Sequence, residues 1–90
     1  MNKKELIGAV AEATGVDGGT VGQTVDAVLE TVAAGLAAGE SVTIPGFGTF
    51  EVRERRARTG RNPQTGETIE IAASRAAAFR AGKALRERLN

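Results

Sequence analysis

Residues 46–71 read GFGTFEVRERRARTGRNPQTGETIEI, and the rest of the chain is understood through them. The first part alternates as a strand does. Phe50 and Val52 fall on one face, and Thr49, Glu51, Arg53 and Arg55 on the other. Beyond Val52 the positions that should meet a core are Glu54, Arg56 and Arg58, so the strand leaves the core and continues as a charged ribbon. Asn62-Pro63-Gln64-Thr65-Gly66 is a turn, because Pro presets φ while Asn and Gly accept the remaining turn dihedrals. Glu67 to Ile71 returns with Ile69 and Ile71 on one face. A two-stranded hairpin with no core beneath it is marginally stable in water. An arm of about residues 53–72 is therefore expected to act on a partner, and its arginines name a polyanion. The plainer alternative is a solvated hairpin whose arginines serve solubility.

Upstream, Ser41 to Ile44 alternates as a short strand, and Pro45-Gly46 turns the chain into the one just described. Two helices precede it. Asn2 and Glu5 have the spacing of a capping box, and Leu6, Val10 and Ala13, flanked by Ile7 and Ala11, form a stripe at helical period. Gly15 ends this helix, and Asp17 caps the next. The second stripe is Val21, Val25, Val28, Leu29, Val32 and Leu36, closed by Gly39. Two antiparallel helices with a buried valine seam are expected. Gly22 and Gly35 inside the second each cost about 1 kcal/mol relative to Ala, which packing must offset. Downstream, Ala72 to Phe79 rejoins the sheet with Phe79 near Phe47 and Phe50, and Ala81 to Leu89 reads as a short helix.

Composition bounds the rest. A chain of 90 residues buries only roughly 60–70% of its unfolded surface, so a lone core is marginal. There are three Phe, no Trp or Tyr, and neither Cys nor His to supply a disulfide or a structural zinc site. Oligomerisation is the remaining support for so small a scaffold. The net charge of +1 conceals a division: residues 1–45 carry two Lys against six acids, and residues 46–90 carry ten bases against five acids. Nine of the twelve bases are Arg, the residue suited to bidentate phosphate contact. A polyanion-binding half on an acidic scaffold half follows. No leader peptide or membrane span is expected, and the lack of Cys fits a reducing cytoplasm.

The run quoted above resembles the HU and integration host factor family of bacterial DNA-binding proteins. Gly46-Phe47, Phe50, Arg55, Arg58, Gly60, Asn62-Pro63 and Thr65 stand in the family spacing, and the opening MNKKELI and the closing FRAGKALRERL are also HU-like. The resemblance implies an α+β fold with an N-terminal helical hairpin, a three-stranded antiparallel sheet bearing an extended β-ribbon arm, and a short C-terminal helix. It also implies an intertwined homodimer, residues 1–90 forming one domain: a helical dimerisation base at 1–40, sheet and arm at 41–80, and the last helix at 81–90. The implied function is that of a histone-like nucleoid protein in the cytoplasm. Such a protein binds duplex DNA through the minor groove, largely without sequence specificity, and bends and compacts it. Bent, nicked or gapped DNA is the expected preference, without a cofactor or small-molecule substrate.

By position, the resemblance assigns arm contacts to Arg53, Arg55, Arg58, Arg61, Asn62 and Gln64, and the intercalating tip to Pro63. Lys3, Arg80, Lys83 and Arg86 correspond to saddle or flank positions that hold phosphate. There are three departures from the pattern: Gly18-Gly19 where relatives often carry Lys, Ala81 in place of a proline, and an unusually acidic first half. Several residues also have plainer readings. Phe47, Phe50 and Phe79 are core residues, Arg75 pairs with a Glu or with DNA, and Arg88 is a solvated helix residue. Arg56 points away from Arg53 and Arg55 unless a bulge near Ala57 shifts the register.

Other functions compete. A site-preferring bender like integration host factor would differ in its affinities for selected and random duplexes. An RNA or general polyanion module is disfavoured because A-form geometry does not suit a clasping ribbon. An enzyme is not expected, since no nucleophile–base pair or P-loop is present.

Overall fold

The computed structural model describes residues 1–90, and three helices and five strands order as ααβββββα. Helix α1 (Lys3–Thr14) begins on the expected capping box. The Asn2 side chain accepts from the Glu5 N–H at 2.8 Å, and the Asn2 N–H donates to the Glu5 carboxylate at 3.4 Å. It ends on Gly15 at φ 73°, a left-handed conformation that a residue without Cβ adopts freely. Helix α2 (Gly18–Ala37) starts at Asp17, whose carboxylate accepts from the Thr20 N–H at 2.9 Å and from its hydroxyl at 2.7 Å. The Thr20 hydroxyl, with its N–H, holds the Asp17 carboxyl below the ordinary carboxylate pKa. Residues 1–34 form one unit and residues 35–90 another.

In the first unit the two helices run antiparallel. Lys3 pairs with Asp26, and a Cβ at Gly22 would lie 3.8 Å from Ile7 Cδ1, so positions descend along one helix as they rise along the other. Gly22 is thus where α1 comes close. Val21 is the chain's only buried apolar side chain, 5% exposed. Val25 is half-buried, while Leu6, Val28 and Leu29 stand in solvent. The expected valine seam exists as a stripe, but this chain by itself does not bury it.

In the second unit β1 (Val42–Ile44), β2 (Gly48–Arg55) and β5 (Ser74–Ala81) form an antiparallel sheet in the order β1-β2-β5. Phe50 faces Val42 on one side and Phe79 on the other. The Phe79 ring stacks at an angle against Phe47 and Phe50, with centroids 5.3 and 4.9 Å away. Gly48 makes this possible: a Cβ there would lie 2.5 Å from Phe79 Cζ and 2.6 Å from the Arg80 carbonyl oxygen. Any larger residue collides with both. One sheet face therefore carries Val42, Ile44, Phe50, Val52, Ala77 and Phe79, and the other carries Thr49, Glu51, Arg53, Arg55, Ala76, Ala78 and Arg80.

The start of the last helix departs from expectation. Ala81 completes β5 opposite Gly48, and α3 spans Lys83–Leu89. Gly82 intervenes, donating its N–H to the Phe47 carbonyl at 2.8 Å. Pairing with β2 holds Ala81 in the strand, and helical propensity in KALRERL takes over only beyond that bond.

Candidate nucleic-acid interface

The ribbon is present but is not one continuous ladder. Strands β3 (Arg58–Arg61) and β4 (Thr68–Ile71) pair as a separate two-stranded sheet. Arg56-Ala57 and Ala72-Ala73 lie between it and the main sheet. Register is nevertheless kept: Arg55 faces Ser74 and Arg58 faces Ile71, so two residues are passed over on each strand and no bulge is inserted. Arg56 therefore keeps the parity opposite to Arg53 and Arg55.

Local hydrogen bonds shape the tip. The Asn62 N–H donates to the Glu67 carbonyl at 2.8 Å, and the Asn62 carbonyl accepts from the Gly66 N–H at 2.7 Å. The Asn62 side-chain oxygen accepts from the Gln64 N–H at 2.9 Å. Gly66 closes the turn at φ 73°. Asn62 is thus engaged in building the turn. Pro63 and Gln64 are left exposed at the apex.

Opposed residues of an antiparallel pair share a face, so the arm has two different sides. Arg58 and Gly60 share one with Ile71 and Ile69. A Cβ at Gly60 would lie 3.1 Å from Ile71 Cδ1, so the isoleucines close over the glycine. Thr59 and Arg61 share the other with Glu70 and Thr68. Arg58 and Arg61 therefore project to opposite sides.

The predicted cations fall into two groups. Arg55, Arg58 and Arg61 form no ion pair, and neither does Arg86, in the last turn of α3. The others already have carboxylate partners. Arg53 meets Glu51 at 3.2 Å, Arg80 reaches the other oxygen of Glu51 at 4.0 Å, Lys83 lies 3.8 Å from Glu87, and Lys3 pairs with Asp26. All four basic side chains remain more than half exposed, so each pair is a weak, salt-screened contact that another anion can replace.

Arg75 has a partner that sequence reasoning missed. Its guanidinium donates to the carbonyls of Leu36 at 3.1 Å and Ala37 at 3.4 Å, not to a Glu. Nothing local in the sequence marks a contact across so many residues.

A family model described as "Bacterial DNA-binding protein" matches residues 1–90. The chain is 53% identical over 90 residues to DNA-binding protein HU-beta of Pseudomonas aeruginosa, with all of both chains covered. It belongs to the HU family. A second HU relative, from Streptococcus thermophilus, is 59% identical over 86 residues, covering 96% of this chain and 94% of that one. Among solved structures, an Anabaena HU–DNA cocrystal superposes with a TM-score of 0.89 at 49% identity, covering 99% of this chain and 97% of that chain. HU from Thermotoga maritima superposes at 0.71 with 36% identity over the full length of both. This HU-family chain is accordingly an α+β DNA-binding protein and not an enzyme. No helix in it is long and apolar enough to cross a membrane.

Proposed function

We propose that this HU-family chain is a homodimeric, histone-like nucleoid protein of the cytoplasm. It clasps duplex DNA with two arms and bends it largely without regard to sequence. The arm itself carries the reading: a two-stranded ribbon that ends in exposed Pro63 and bears Arg55, Arg58 and Arg61 without internal counter-ions. Ribbons of this kind enter the minor groove and wedge an apolar residue between base steps. Pro63 is the wedge, being rigid and without an N–H to satisfy. Arg58 and Arg61, on opposite sides of the ribbon, face the two phosphate walls of a groove. The remaining contacts are Arg53, Arg55, Asn62, Gln64, Lys3, Arg80, Lys83 and Arg86. The minor groove offers a degenerate base code, so shape and deformability are what such an arm reads.

Dimerisation has its own support. A self-sufficient folded chain of 9.3 kDa exposes about 5000 Å², whereas this one exposes 7349 Å². The exposed surface includes Val28, Leu29, Ile44, Phe47 and Phe79, between 38% and 54% exposed. A second copy is the partner that buries them, with residues 1–40 as the base of the dimer. A melting temperature that rises with protein concentration is expected. A concentration-independent value with a monomeric mass would overturn the dimer.

The deciding experiment titrates an intact short duplex, the same duplex with a nick or gap, and a matched RNA. Tighter binding to the distorted DNA, weak binding to RNA and a steep salt dependence are expected. Equal binding to all three would reduce the arms to a generic cationic surface.

A further inference from the structure

The break between the two sheets sets three arginine residues beside small side chains. Arg56, Ala57, Ala72 and Ala73 belong to neither ladder, and their peptide groups make no hydrogen bond to other backbone groups. Ala57, Ala72, Ala73 and Ser74 leave room beside them. Arg55, Arg56 and Arg58 border one depression there with Ala72 and Ser74, and Arg55 and Arg56 also border an adjoining one with Glu54. None of the three guanidiniums pairs with a carboxylate, Glu54 included. Arg75, on the rim of the adjoining depression, is committed to the carbonyls of Leu36 and Ala37.

A guanidinium without a carboxylate partner is free to bind an external anion. Guanidinium forks and free peptide N–H groups are the donors that phosphate oxygens accept from. The small side chains give a tetrahedral group access to both. Arg56 has no role in the arm's pairing and no partner of its own.

From this geometry we infer that the root of the arm is a phosphate-binding site. Arg56 and Arg58, which share a side of the ribbon, build it around the unpaired peptide groups of residues 56–57 and 72–73, with Arg55 at its border. Its occupant is a backbone phosphate of the DNA that the arm follows, and Arg56 is a DNA contact beyond those proposed above. The inference rests on the DNA-clasping reading, and it adds a grip where the arm leaves the body of the protein.

The test compares the wild-type chain with Arg56→Gln and Arg56→Lys on a short duplex across a salt series. Each phosphate contact contributes about 0.9 to the slope of log affinity against log salt, so losing one per arm lowers the slope of a dimer by about 2. Arg56→Gln is expected to show that loss with uniform weakening across sequences, and Arg56→Lys to retain most of the slope. Single methylphosphonate substitutions supply the second readout, in a gapped duplex whose gap fixes where the protein sits. At one position per arm, neutralisation should weaken the wild type clearly more than it weakens Arg56→Gln. A wild-type slope in Arg56→Gln, or equal sensitivity to every methylphosphonate, overturns the site. A flat salt dependence in the wild type would instead remove the clasping reading itself. Inorganic phosphate that shifts the Ala57 and Ala73 amide resonances in wild type but not in Arg56→Gln would support the site with a free anion. If neither phosphate nor DNA moves those resonances, the site falls.

Discussion

The Arg75 guanidinium lies 3.1 Å from the Leu36 carbonyl oxygen and so ties the start of β5 to the last turn of α2. The final carbonyls of a helix have no partner within it, and they carry the negative end of its dipole. Gly39, at φ 83°, turns the chain away just beyond, and its N–H donates to the same Leu36 oxygen at 2.9 Å. Arg75→Ala should lower stability by about 1 kcal/mol in urea unfolding, in line with a charge-assisted bond at an exposed helix end. Arg75→Lys keeps the charge but loses the two-pronged donation and should fall between the two. Unchanged stability in both variants would show that the contact contributes nothing.

Gly48 and Gly8 should respond in opposite ways to alanine. At Gly48 the added Cβ meets Phe79 and the Arg80 carbonyl well inside contact distance, while at Gly8 nothing lies within 4 Å. Gly48→Ala should cost about 1–3 kcal/mol through displaced packing, or more if the β2–β5 backbones separate. Gly8→Ala, inside α1, should gain about 0.5–1 kcal/mol through helix propensity. Thermal melts of the pair check both directions.

Asp17 makes stability depend on acid. The Thr20 hydroxyl and N–H lower its pKa in the folded chain, so the folded state binds that proton more weakly than the unfolded state. The stability it contributes is therefore complete above the ordinary carboxylate pKa and is lost as pH falls through the lowered value. Asp17→Ala should melt below wild type at neutral pH, and the gap should close on acidification. A gap independent of pH would mean that the cap acts without its charge.

Pro63→Ala should reduce DNA bending more than affinity, since the wedge opens a base step while the arginines hold phosphate. Bend-sensitive energy transfer and a binding titration, run on the same duplex, separate the two. Equal loss of both would contradict that division of labour.

Glu51 sits between two proposed phosphate contacts, with one carboxylate oxygen toward Arg53 and the other toward Arg80. A phosphate must displace it or share those donors. Glu51→Gln is expected to tighten DNA binding severalfold at low salt and to steepen the salt dependence, because each freed guanidinium then releases counter-ions from DNA. Weaker binding in Glu51→Gln would show instead that the carboxylate orients the arginines.

What the sequence determined alone were the helix caps, the tip of the arm and the faces of the strand, whose partners lie a few residues apart. Asn2 and Glu5, Asp17 and Thr20, and Asn62 with Gly66 satisfy one another within one turn of chain, so caps and tip are written in neighbouring residues. Alternation from Thr49 to Arg55 likewise assigns each side chain to a sheet face by itself. Tertiary structure decided what depends on distant segments meeting. Arg75 bonds to a helix end nearly forty residues earlier, Phe79 reaches over Gly48, and pairing with β2 keeps Ala81 in a strand despite the helix-forming residues that follow. The break at Arg56-Ala57 is of the same kind, since the opposite strand supplies half of it. Short-range hydrogen bonds and periodicity are properties of the chain's own order. A guanidinium's choice among carboxylate, carbonyl and phosphate depends on which of them folding brings within reach.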